Sequence, residues 1–378
     1  MIKRNVDLDK YLEKNKVLII YGARQVGKTT LVKEYLSKTD MKYSFYTGDD
    51  IQFAKDLSKC DLYLIKKIVS GIELLVIDEA QKIENIGRAL KLIVDNIEDI
   101  YVIVTGSSSF DLANSTSEPL TGRKNLITFY PISIEELLND NSEYDVSRRV
   151  EEFLIYGMYP NVVDLENLKE KENRINEIRD SYLIKDILEF NKVKRSQLVI
   201  DLLKLLAFQI GSEVSTVELS KNLGIDNKTV KRYLDLLEKS FVIFSLSGFS
   251  RNLRKEVNKM DKYYFYDNGI RNSLIKNFNN LDTRDDVGQL WENFLMIERM
   301  KKNSYNRLSV NYYFWRTYDQ KEIDLIEERG GKLHGYEFKW GNQKIKAPKE
   351  WIEEYKNSDF NIINRENYLS FVTGDSNQ

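Results

Sequence analysis

A glycine-bounded loop near the N-terminus carries the residues with the clearest chemistry in this sequence. An apolar run, residues 17–20, leads into Gly22, and Gly27, Lys28 and Thr29 follow, which matches the pattern G-x-x-x-x-G-K-[ST] at every fixed position. The backbone N–H groups of such a loop, with the N-terminus of the helix that follows, form a concave anion site. The pattern therefore predicts a loop that binds the phosphates of a nucleotide.

The same pattern assigns roles within the loop. Lys28 is expected to reach the β- and γ-phosphates of ATP, and the Thr29 hydroxyl is expected to hold Mg²⁺. A buried-type strand before the loop and an amphipathic helix after it, residues 30–36, are the context that the motif requires. The residues expected to contact the nucleotide are Gly22, Ala23, Arg24, Gln25, Val26, Gly27, Lys28, Thr29 and Thr30.

Two acids follow a second apolar run. Residues 74–77 lead into Asp78, expected to hold Mg²⁺ through water, and Glu79, expected to orient and polarise the attacking water. A third apolar run ends in polar residues that include Ser107 and Ser108, which could touch the γ-phosphate or the water. An ordinary strand end with solvated acids is the alternative, and the pairing of the two motifs makes it the weaker one.

Strand and helix patterns alternate through the first third of the chain. Alternation of this kind predicts a parallel sheet with crossover helices, in which ligands bind at the carboxyl ends of the strands. All three groups of polar residues follow strands directly, so they are expected at that edge. The further elements predicted here are helices at 8–14, 52–69 and 86–96, strands at 43–46 and 125–129, and a helix that a capping box begins at Ser133.

Four stretches resemble the archaeal-type AAA ATPases of bacteria and archaea: GARQVGKTT, LLVIDEAQ, VIVTGSSS and LTGRKNLITFYPISIEEL. The resemblance implies an AAA+-like core that uses ATP and Mg²⁺, with Ser107 or Ser108 in the sensor role. It also implies that Arg123 is an arginine finger, which usually reaches the nucleotide of a neighbouring subunit. A homo-oligomer follows from that role, and a hexameric ring is one form it could take. A surface ion pair is the equally weighted alternative for Arg123.

Composition excludes several other classes of protein. The 378 residues suggest two or three domains, and a single cysteine, Cys60, excludes an internal disulfide framework and a cysteine metal cluster. A single histidine, His334, removes most histidine-based chemistry. No apolar run approaches a membrane span and the N-terminus lacks a signal-peptide core, so a cytoplasmic protein without a membrane partner is expected.

A basic helix-turn-helix pattern follows the ATPase-like part. Ser215 and Asp226 can cap two helices around a turn at Gly224, and two strands come next. Residues 181–260 carry 14 Lys and Arg against 9 Asp and Glu, which suits DNA phosphates, although a winged helix can also be a plain structural or oligomer module. The residues expected to contact DNA are Asn227, Lys228, Lys231 and Arg232 on the second helix and Arg251, Arg254 and Lys255 in the wing.

Acidic residues near the C-terminus form a second candidate site. Glu292 on a helix, Asp324 on a strand, and Glu337 with Lys339 on the next strand resemble the PD-(D/E)XK nuclease fold. In that fold the acids bind Mg²⁺ and the lysine positions or activates a water. Domains of this kind can also persist as binding or packing modules.

The sequence therefore predicts an α/β protein of four parts. They are an AAA-type P-loop ATPase domain at 1–140, a helical lid at 141–210, a winged helix-turn-helix at 211–280 and an α/β PD-(D/E)XK nuclease-like domain at 281–378. The function expected is ATP hydrolysis coupled to the handling of duplex or branched, junction-type DNA. A nucleotide-gated regulatory switch and an ATP-dependent metal nuclease are the alternatives.

Overall fold

The chain divides into two compact units. The first contains residues 4–131 and 239–241, and the second contains residues 1–3, 132–238 and 242–378. The structure is a computed structural model and describes residues 2–107, 120–181, 196–250, 260–317, 319–343 and 345–374. The four-part division predicted from the sequence is finer than these two units, and its boundaries stay predictions.

A five-stranded sheet forms the centre of the first unit. Its strands are β1 (Val17–Tyr21), β2 (Tyr43–Thr47), β3 (Leu74–Asp78), β4 (Tyr101–Gly106) and β5 (Lys124–Thr128). The strand order is β2-β3-β4-β1-β5, and every neighbouring pair is parallel. The predicted parallel α/β core is therefore confirmed. The strands β1, β3 and β4 end at one edge of the sheet, which brings the groups that follow them together.

Helices of the first unit differ from the sequence predictions in two places. The helix expected at 8–14 is only a 3-10 turn, and the helix expected at 52–69 is interrupted where Cys60 adopts a positive φ of 53°. Asp61 then caps a second helix by accepting hydrogen bonds from the backbone N–H groups of Tyr63 and Leu64. The helical segments described are Leu8–Lys10, Lys28–Leu36, Ile51–Ser58, Leu62–Ile68, Ala80–Lys82 and Ile86–Asn96.

Helices also form most of the first half of the second unit. The predicted capping box is confirmed, because the Ser133 hydroxyl accepts from the N–H of Glu136 and the Glu136 carboxylate accepts from the N–H of Ser133. Its described helical segments are Ile134–Leu137, Glu143–Arg148, Val150–Tyr156, Pro160–Val163, Leu168–Ile178, Ser196–Phe208, Thr216–Leu223, Asn227–Lys239, Asn268–Ile275, Leu281–Thr283, Val287–Tyr305, Lys349–Glu354 and Tyr368–Thr373.

A six-stranded mixed sheet forms the rest of the second unit. Its strands are β6 (Ile243–Gly248), β7 (Lys262–Phe265), β8 (Asn311–Arg316), β9 (Glu322–Arg329), β10 (Lys332–Phe338) and β11 (Ser358–Ile363), in the order β11-β10-β9-β8-β6-β7. Strands β6 and β8 pair in parallel, with Ser247 opposite Tyr313 and Gly248 opposite Phe314. The strands expected to form a wing therefore belong to the same sheet as the strands expected in a nuclease-like domain.

An aromatic cluster packs against this sheet. Trp351, on the helix Lys349–Glu354, is fully buried and contacts the rings of Trp315 and Phe249 edge to face. Burial of each large apolar side chain contributes about 1.5–3 kcal/mol to stability. The cluster comprises Phe249, Trp315, Ile323, Ile326, Leu333, Trp351 and Tyr355.

Candidate functional site

The glycine-bounded loop leaves β1 and enters the helix Lys28–Leu36, as the sequence predicts. Gly22 has a φ of +149°, and a Cβ atom there would lie 1.9 Å from the carbonyl oxygen of Phe129. Gly27, the residue before the helix, has a φ of +99°. Only glycine adopts these conformations at low cost, so both fixed glycines of the motif have a local structural reason.

Lys28 is buried in the loop, with 6% of its surface exposed. Its ammonium donates hydrogen bonds to the carbonyl oxygens of Gly22 at 2.8 Å and Ala23 at 2.7 Å. Burial lowers the pKa of Lys28 to about 8, although the acids Glu79 and Asp78 partly oppose this effect. The lysine is therefore still mostly charged at neutral pH, and its present partners are uncharged.

Thr29 and Asp78 lie side by side. The Thr29 hydroxyl donates to the carboxylate of Asp78, with oxygen separations of 2.9 and 3.1 Å. Mg²⁺ prefers hard oxygen ligands and usually keeps several waters beside one or two carboxylates. The two side chains fit the Mg²⁺ site predicted for them, since both supply oxygen atoms at one point next to the loop.

Thr105 connects the two acids, which the sequence analysis did not foresee. Its hydroxyl, at the end of β4, donates to Asp78 and accepts from the backbone N–H of Glu79 at 3.3 Å. The residue is 1% exposed. A threonine inside an apolar strand has no distinctive sequence signal, because β-branched residues are common in strands.

Glu79 follows β3 in a left-handed backbone conformation, with a φ of 51°. The Gln81 side-chain amide donates to its carboxylate at 2.5 Å, and an Arg24 nitrogen lies 4.0 Å from the same oxygen. Arg24 is one of the residues that the sequence predicts to contact the nucleotide. In the structure its guanidinium faces the acid.

Arg4 is a further residue that sequence reasoning missed. Its guanidinium donates to the carbonyl oxygens of Val26, in the loop, and Tyr130, both at 2.7 Å, and stacks on the ring of Phe129. The residue thus ties the loop to the segment that follows β5. Nothing in the surrounding sequence marks it as a loop contact.

A P-loop nucleotide site requires a phosphate-binding loop, oxygen ligands for Mg²⁺ and a glutamate at the end of a strand. The residues of the first unit supply all three. Residues 14–138 match the family model of the AAA domain. This AAA domain contains all five parallel strands and, apart from Arg4, every residue of the site described above. Two further family models match the rest of the chain, a domain of unknown function (DUF8612) at 147–281 and another (DUF4143) at 287–377.

Several relatives are similar over most of the chain, and all are described as uncharacterized. A Mycobacterium tuberculosis protein is 27% identical over 335 residues, which cover 88% of this chain and 72% of that protein. A Haemophilus influenzae protein is 26% identical over 363 residues, covering 88% and 86%. A Methanocaldococcus jannaschii protein is 22% identical over 379 residues, covering 95% and 83%.

Solved structures give weaker similarities. A Signal Transduction ATPase with Numerous Domains from Pyrococcus horikoshii is 15% identical with a TM-score of 0.26, and the match covers 76% of this chain and 44% of that one. A RuvB variant from Thermotoga maritima is 16% identical with a TM-score of 0.29, and the match covers 61% and 81%. TM-scores this low transfer neither fold nor function.

The sensor and finger candidates of the AAA domain lie in different places. Ser107 is buried beside Gln81, whereas Ser108 falls outside the described residues. The carbonyl of Arg123 accepts from the N–H of Val17, the first residue of β1, so Arg123 lies at the sheet edge opposite the loop. Its side chain is 45% exposed and pairs with Asp95 at 2.5 Å. The arginine-finger role stays a prediction.

The two predicted helix-turn-helix segments are present beyond the AAA domain. Ser215 and Asp226 accept hydrogen bonds at the starts of the helices Thr216–Leu223 and Asn227–Lys239, and Gly224 adopts a φ of 63° in the turn. Lys228, Lys231 and Arg232 are exposed on the second helix, whereas Asn227 is only partly exposed. The predicted wing residues Arg251, Arg254 and Lys255 lie outside the described residues.

A buried lysine changes the interpretation of the C-terminal acids. The ammonium of Lys262 pairs with Glu322 and lies 3.7 Å from Glu292, which also accepts from the Tyr264 hydroxyl at 2.6 Å. Burial, helped by the nearby charge of Asp324, raises the pKa of Glu292 to about 8. The Lys262 ammonium opposes this shift in pKa and already supplies a positive charge beside the acid.

The remaining predicted ligands already have other partners. Asp324 accepts the backbone N–H of Phe338 at 2.7 Å, and Glu337 pairs with Lys339 at 2.7 Å. Within the part of the chain that the structure describes, no group of three or more His, Cys, Asp or Glu is arranged to hold a metal ion. The charge of Asp324 nevertheless raises the pKa of both Glu292 and Glu337, so the three predicted acids lie near one another. The metal site stays a prediction, and Lys262, which the sequence did not point to, supplies a positive charge beside Glu292.

No helix in the described ranges combines the length and the apolar character that crossing a lipid bilayer requires.

Proposed function

We propose that this protein binds ATP with Mg²⁺ and hydrolyses it at the AAA domain. One observation carries the proposal: the Thr29 hydroxyl and the Asp78 carboxylate meet at 2.9 Å directly beside the buried Lys28, and Glu79 follows Asp78 on the same strand end. Each group expected to grip phosphate, hold the metal or activate water thus lies at one edge of the sheet.

The chain's residues divide the work of hydrolysis. The Lys28 ammonium exchanges its two carbonyl partners for oxygens of the β- and γ-phosphates, while Thr29 and Asp78 hold Mg²⁺. When bound, Mg²⁺ neutralises negative charge that develops between these phosphates. Glu79 orients a water molecule and accepts its proton as the water oxygen attacks the γ-phosphorus and ADP leaves.

The test separates phosphate grip from water activation. The Glu79→Gln variant should bind ATP with an unchanged Kd and lose most turnover, because the amide cannot accept the proton. Glu84→Gln is the matched control, since Glu84 is an exposed acid five residues further on and should keep full turnover. Normal ATP turnover in Glu79→Gln would contradict the proposal that this acid activates the attacking water.

We further propose that ATP turnover is coupled to DNA. The support is the row of exposed cations, Lys228, Lys231 and Arg232, on the second helix of the helix-turn-helix. The discriminating measurement is ATP turnover with no DNA and with single-stranded, duplex and four-way junction DNA. Stimulation by duplex or junction DNA supports the coupled ATPase. Slow turnover with retained nucleotide and no response to DNA favours the regulatory switch.

The metal nuclease is the weaker alternative, because the acids it needs are paired with Lys262, Lys339 and backbone groups.

Oligomer formation also belongs to the proposal. Arg123 faces away from its own loop, so it could contact only the nucleotide of another subunit. Sedimentation with and without ATP, in the wild type and in Glu79→Gln, measures whether subunits assemble on the nucleotide.

A further inference from the structure

The side chain of Gln81 bridges two groups of the AAA site. Its amide nitrogen donates to Glu79 at 2.5 Å and to the Ser107 hydroxyl at 3.0 Å. Gln81 lies in the 3-10 turn Ala80–Lys82 that follows β3, and Ser107 follows β4. The bridge therefore joins the ends of two neighbouring strands through the acid expected to activate water.

The partners determine which way the amide points. An ionised carboxylate only accepts hydrogen bonds, so the NH₂ group of Gln81 and not its oxygen must face Glu79. Both N–H bonds are then used, one for each acceptor. The amide oxygen is buried without a partner among the described residues, although Gln81 is only 7% exposed. A buried acceptor without a donor carries a cost that simple packing does not explain.

Glu79 depends on such a bridge because its own backbone does little to fix its side chain. The residue has a left-handed conformation at a strand end, and its carboxylate is partly exposed. Backbone anchoring comes from Thr105, but the carboxylate is held by the Gln81 amide, with Arg24 at the longer distance of 4.0 Å. Loss of the amide would let the carboxylate rotate towards solvent or Arg24.

We propose that Gln81 is a positioning residue for ATP hydrolysis: it holds the Glu79 carboxylate in place for the attacking water and links it to Ser107. This inference rests on the proposed ATPase function. Ser107 follows β4, at the edge of the sheet where the γ-phosphate is expected. If its hydroxyl shifts towards the phosphate, the Gln81 side chain transmits that shift to the Glu79 carboxylate. The observed partners of Gln81 are Glu79 and Ser107, and it is not among the groups expected to bind the phosphates or the metal.

The experiment compares ATP affinity with turnover in the full chain. Gln81→Leu removes the amide at nearly constant volume, and Gln81→Glu keeps the shape but puts a second carboxylate against Glu79. Both should lower kcat by about 10²-fold, the cost of a misplaced catalytic group, while the Kd for ATP stays within about twofold. Gln52→Leu is the control, because Gln52 makes a similar amide bond to Asp56 on an exposed helix.

A double-variant cycle with Ser107→Ala tests the link itself. If the two residues act as one unit, the double variant Gln81→Leu with Ser107→Ala should lose little more turnover than Gln81→Leu alone. Additive losses, unchanged kcat in Gln81→Leu, or a loss of ATP affinity equal to the loss of turnover would each overturn the proposal.

Two outcomes need separate interpretation. If Gln81→Leu does not fold, Ser107→Ala and the isosteric Gln81→Glu still test the bridge from both ends, and normal kcat in both overturns it. The proposed function itself fails if the wild type does not hydrolyse ATP, or if its ATPase activity persists in Glu79→Gln. If only the inference about Gln81 fails, the wild type hydrolyses ATP and Glu79→Gln abolishes this turnover, but the Gln81 variants keep the wild-type kcat.

Discussion

Two buried lysines, Lys28 and Lys262, lie beside carboxylates in this protein, and their partners differ. The ammonium of Lys28 is held by two backbone carbonyls, and burial lowers its pKa to about 8. For Lys262, burial also lowers the pKa, but the carboxylates of Glu292 and Glu322 outweigh burial and raise it. Neutral partners leave a lysine ready to meet an anion, whereas carboxylate partners already neutralise it.

The acids near each lysine differ in the same way. Asp78 bonds to hydroxyl groups of Thr29 and Thr105, which leave its negative charge available to a cation. At the C-terminal cluster the positive charge of Lys262 comes from the chain itself. Among the described residues, Asp78 therefore has no ammonium bonded to it, whereas Glu292 and Glu322 already have the cation of Lys262 beside them.

The largest effect is expected at Lys28. Lys28→Ala should abolish measurable ATP binding, because its ammonium is the group expected to reach the β- and γ-phosphates. Its melting temperature should stay within a few degrees of the wild type, since only two carbonyl hydrogen bonds are lost. Calorimetric titration with ATP and thermal melts measure the two quantities. Lys33→Ala, an exposed lysine on the same helix, should bind ATP normally.

Arg123 can contradict the contrast between the two lysines. It is already paired with the carboxylate of Asp95, and yet it is predicted to stabilise the phosphates of a neighbouring subunit. If it is an arginine finger, Arg123→Ala should bind ATP and lose roughly 10³–10⁵ in turnover. Mixing this variant with Lys28→Ala should restore some activity. Asp95→Ala is the control: it breaks the same ion pair but keeps the arginine, so it should remain active.

A different result would contradict the arginine-finger role of Arg123. If Arg123→Ala and Asp95→Ala both hydrolyse ATP at the wild-type rate, the arginine is a surface ion pair. Exposed pairs contribute only about 0–1 kcal/mol, so that outcome also predicts little change in stability. Turnover per chain that does not rise with protein concentration would agree with it.

Removal of Lys262 should cost stability. Lys262→Met leaves buried carboxylates without their cation, which is expected to lower the free energy of unfolding by about 3–5 kcal/mol. Urea titration measures this loss, and Glu322→Gln added to the variant should recover part of it. Lys321→Met, which breaks an exposed pair with Glu350, should change stability by less than about 0.5 kcal/mol.

The same contrast predicts the behaviour of the wild-type cluster towards metal. The protein should not nick DNA with Mg²⁺ or Mn²⁺, because Lys262 already supplies the positive charge beside Glu292. Nicking that disappears in Glu337→Gln would show that the cluster accepts a metal after all, and that the paired lysine does not exclude one.

The smallest effect is expected on the exposed face of the helix Asn227–Lys239. Changing Lys231 and Arg232 to glutamate should weaken DNA binding and reduce the slope of log affinity against log salt by about 2, since each lost phosphate contact removes roughly 0.9. Lys169→Glu, a charge reversal at an exposed lysine of the helix Leu168–Ile178, is the control and should leave DNA binding unchanged. An unchanged slope would move the DNA contact elsewhere.

The AAA core was predictable because each of its signals is local. A strand, a glycine-bounded loop and a helix follow one another in sequence, and the structure confirms them as Val17–Tyr21 and Lys28–Leu36. The helix Ile86–Asn96 was predicted with its observed ends, since its apolar residues recur at helical spacing. Motifs of this type place phosphate, metal and water groups without any knowledge of distant contacts.

Side chains that act between elements could not be predicted. Thr105 and Gln81 look like an ordinary strand threonine and an ordinary turn glutamine, and only strand order brings them to Glu79. Lys262 begins β7, and lysine side chains are mostly exposed in proteins, yet this one is 1% exposed. Its burial depends on Glu292 and Glu322, which are thirty and sixty residues away along the chain.

The parallel pairing of β6 with β8 has a consequence for dividing this protein into fragments. A fragment that ends near residue 280 would keep β6 and β7 and lose β8, and the complementary fragment would lose β6. Each would then carry an open row of backbone N–H and C=O groups that can recruit strands from other chains. Fragments cut there should aggregate, whereas a cut before β6 keeps all six strands of the sheet in one piece.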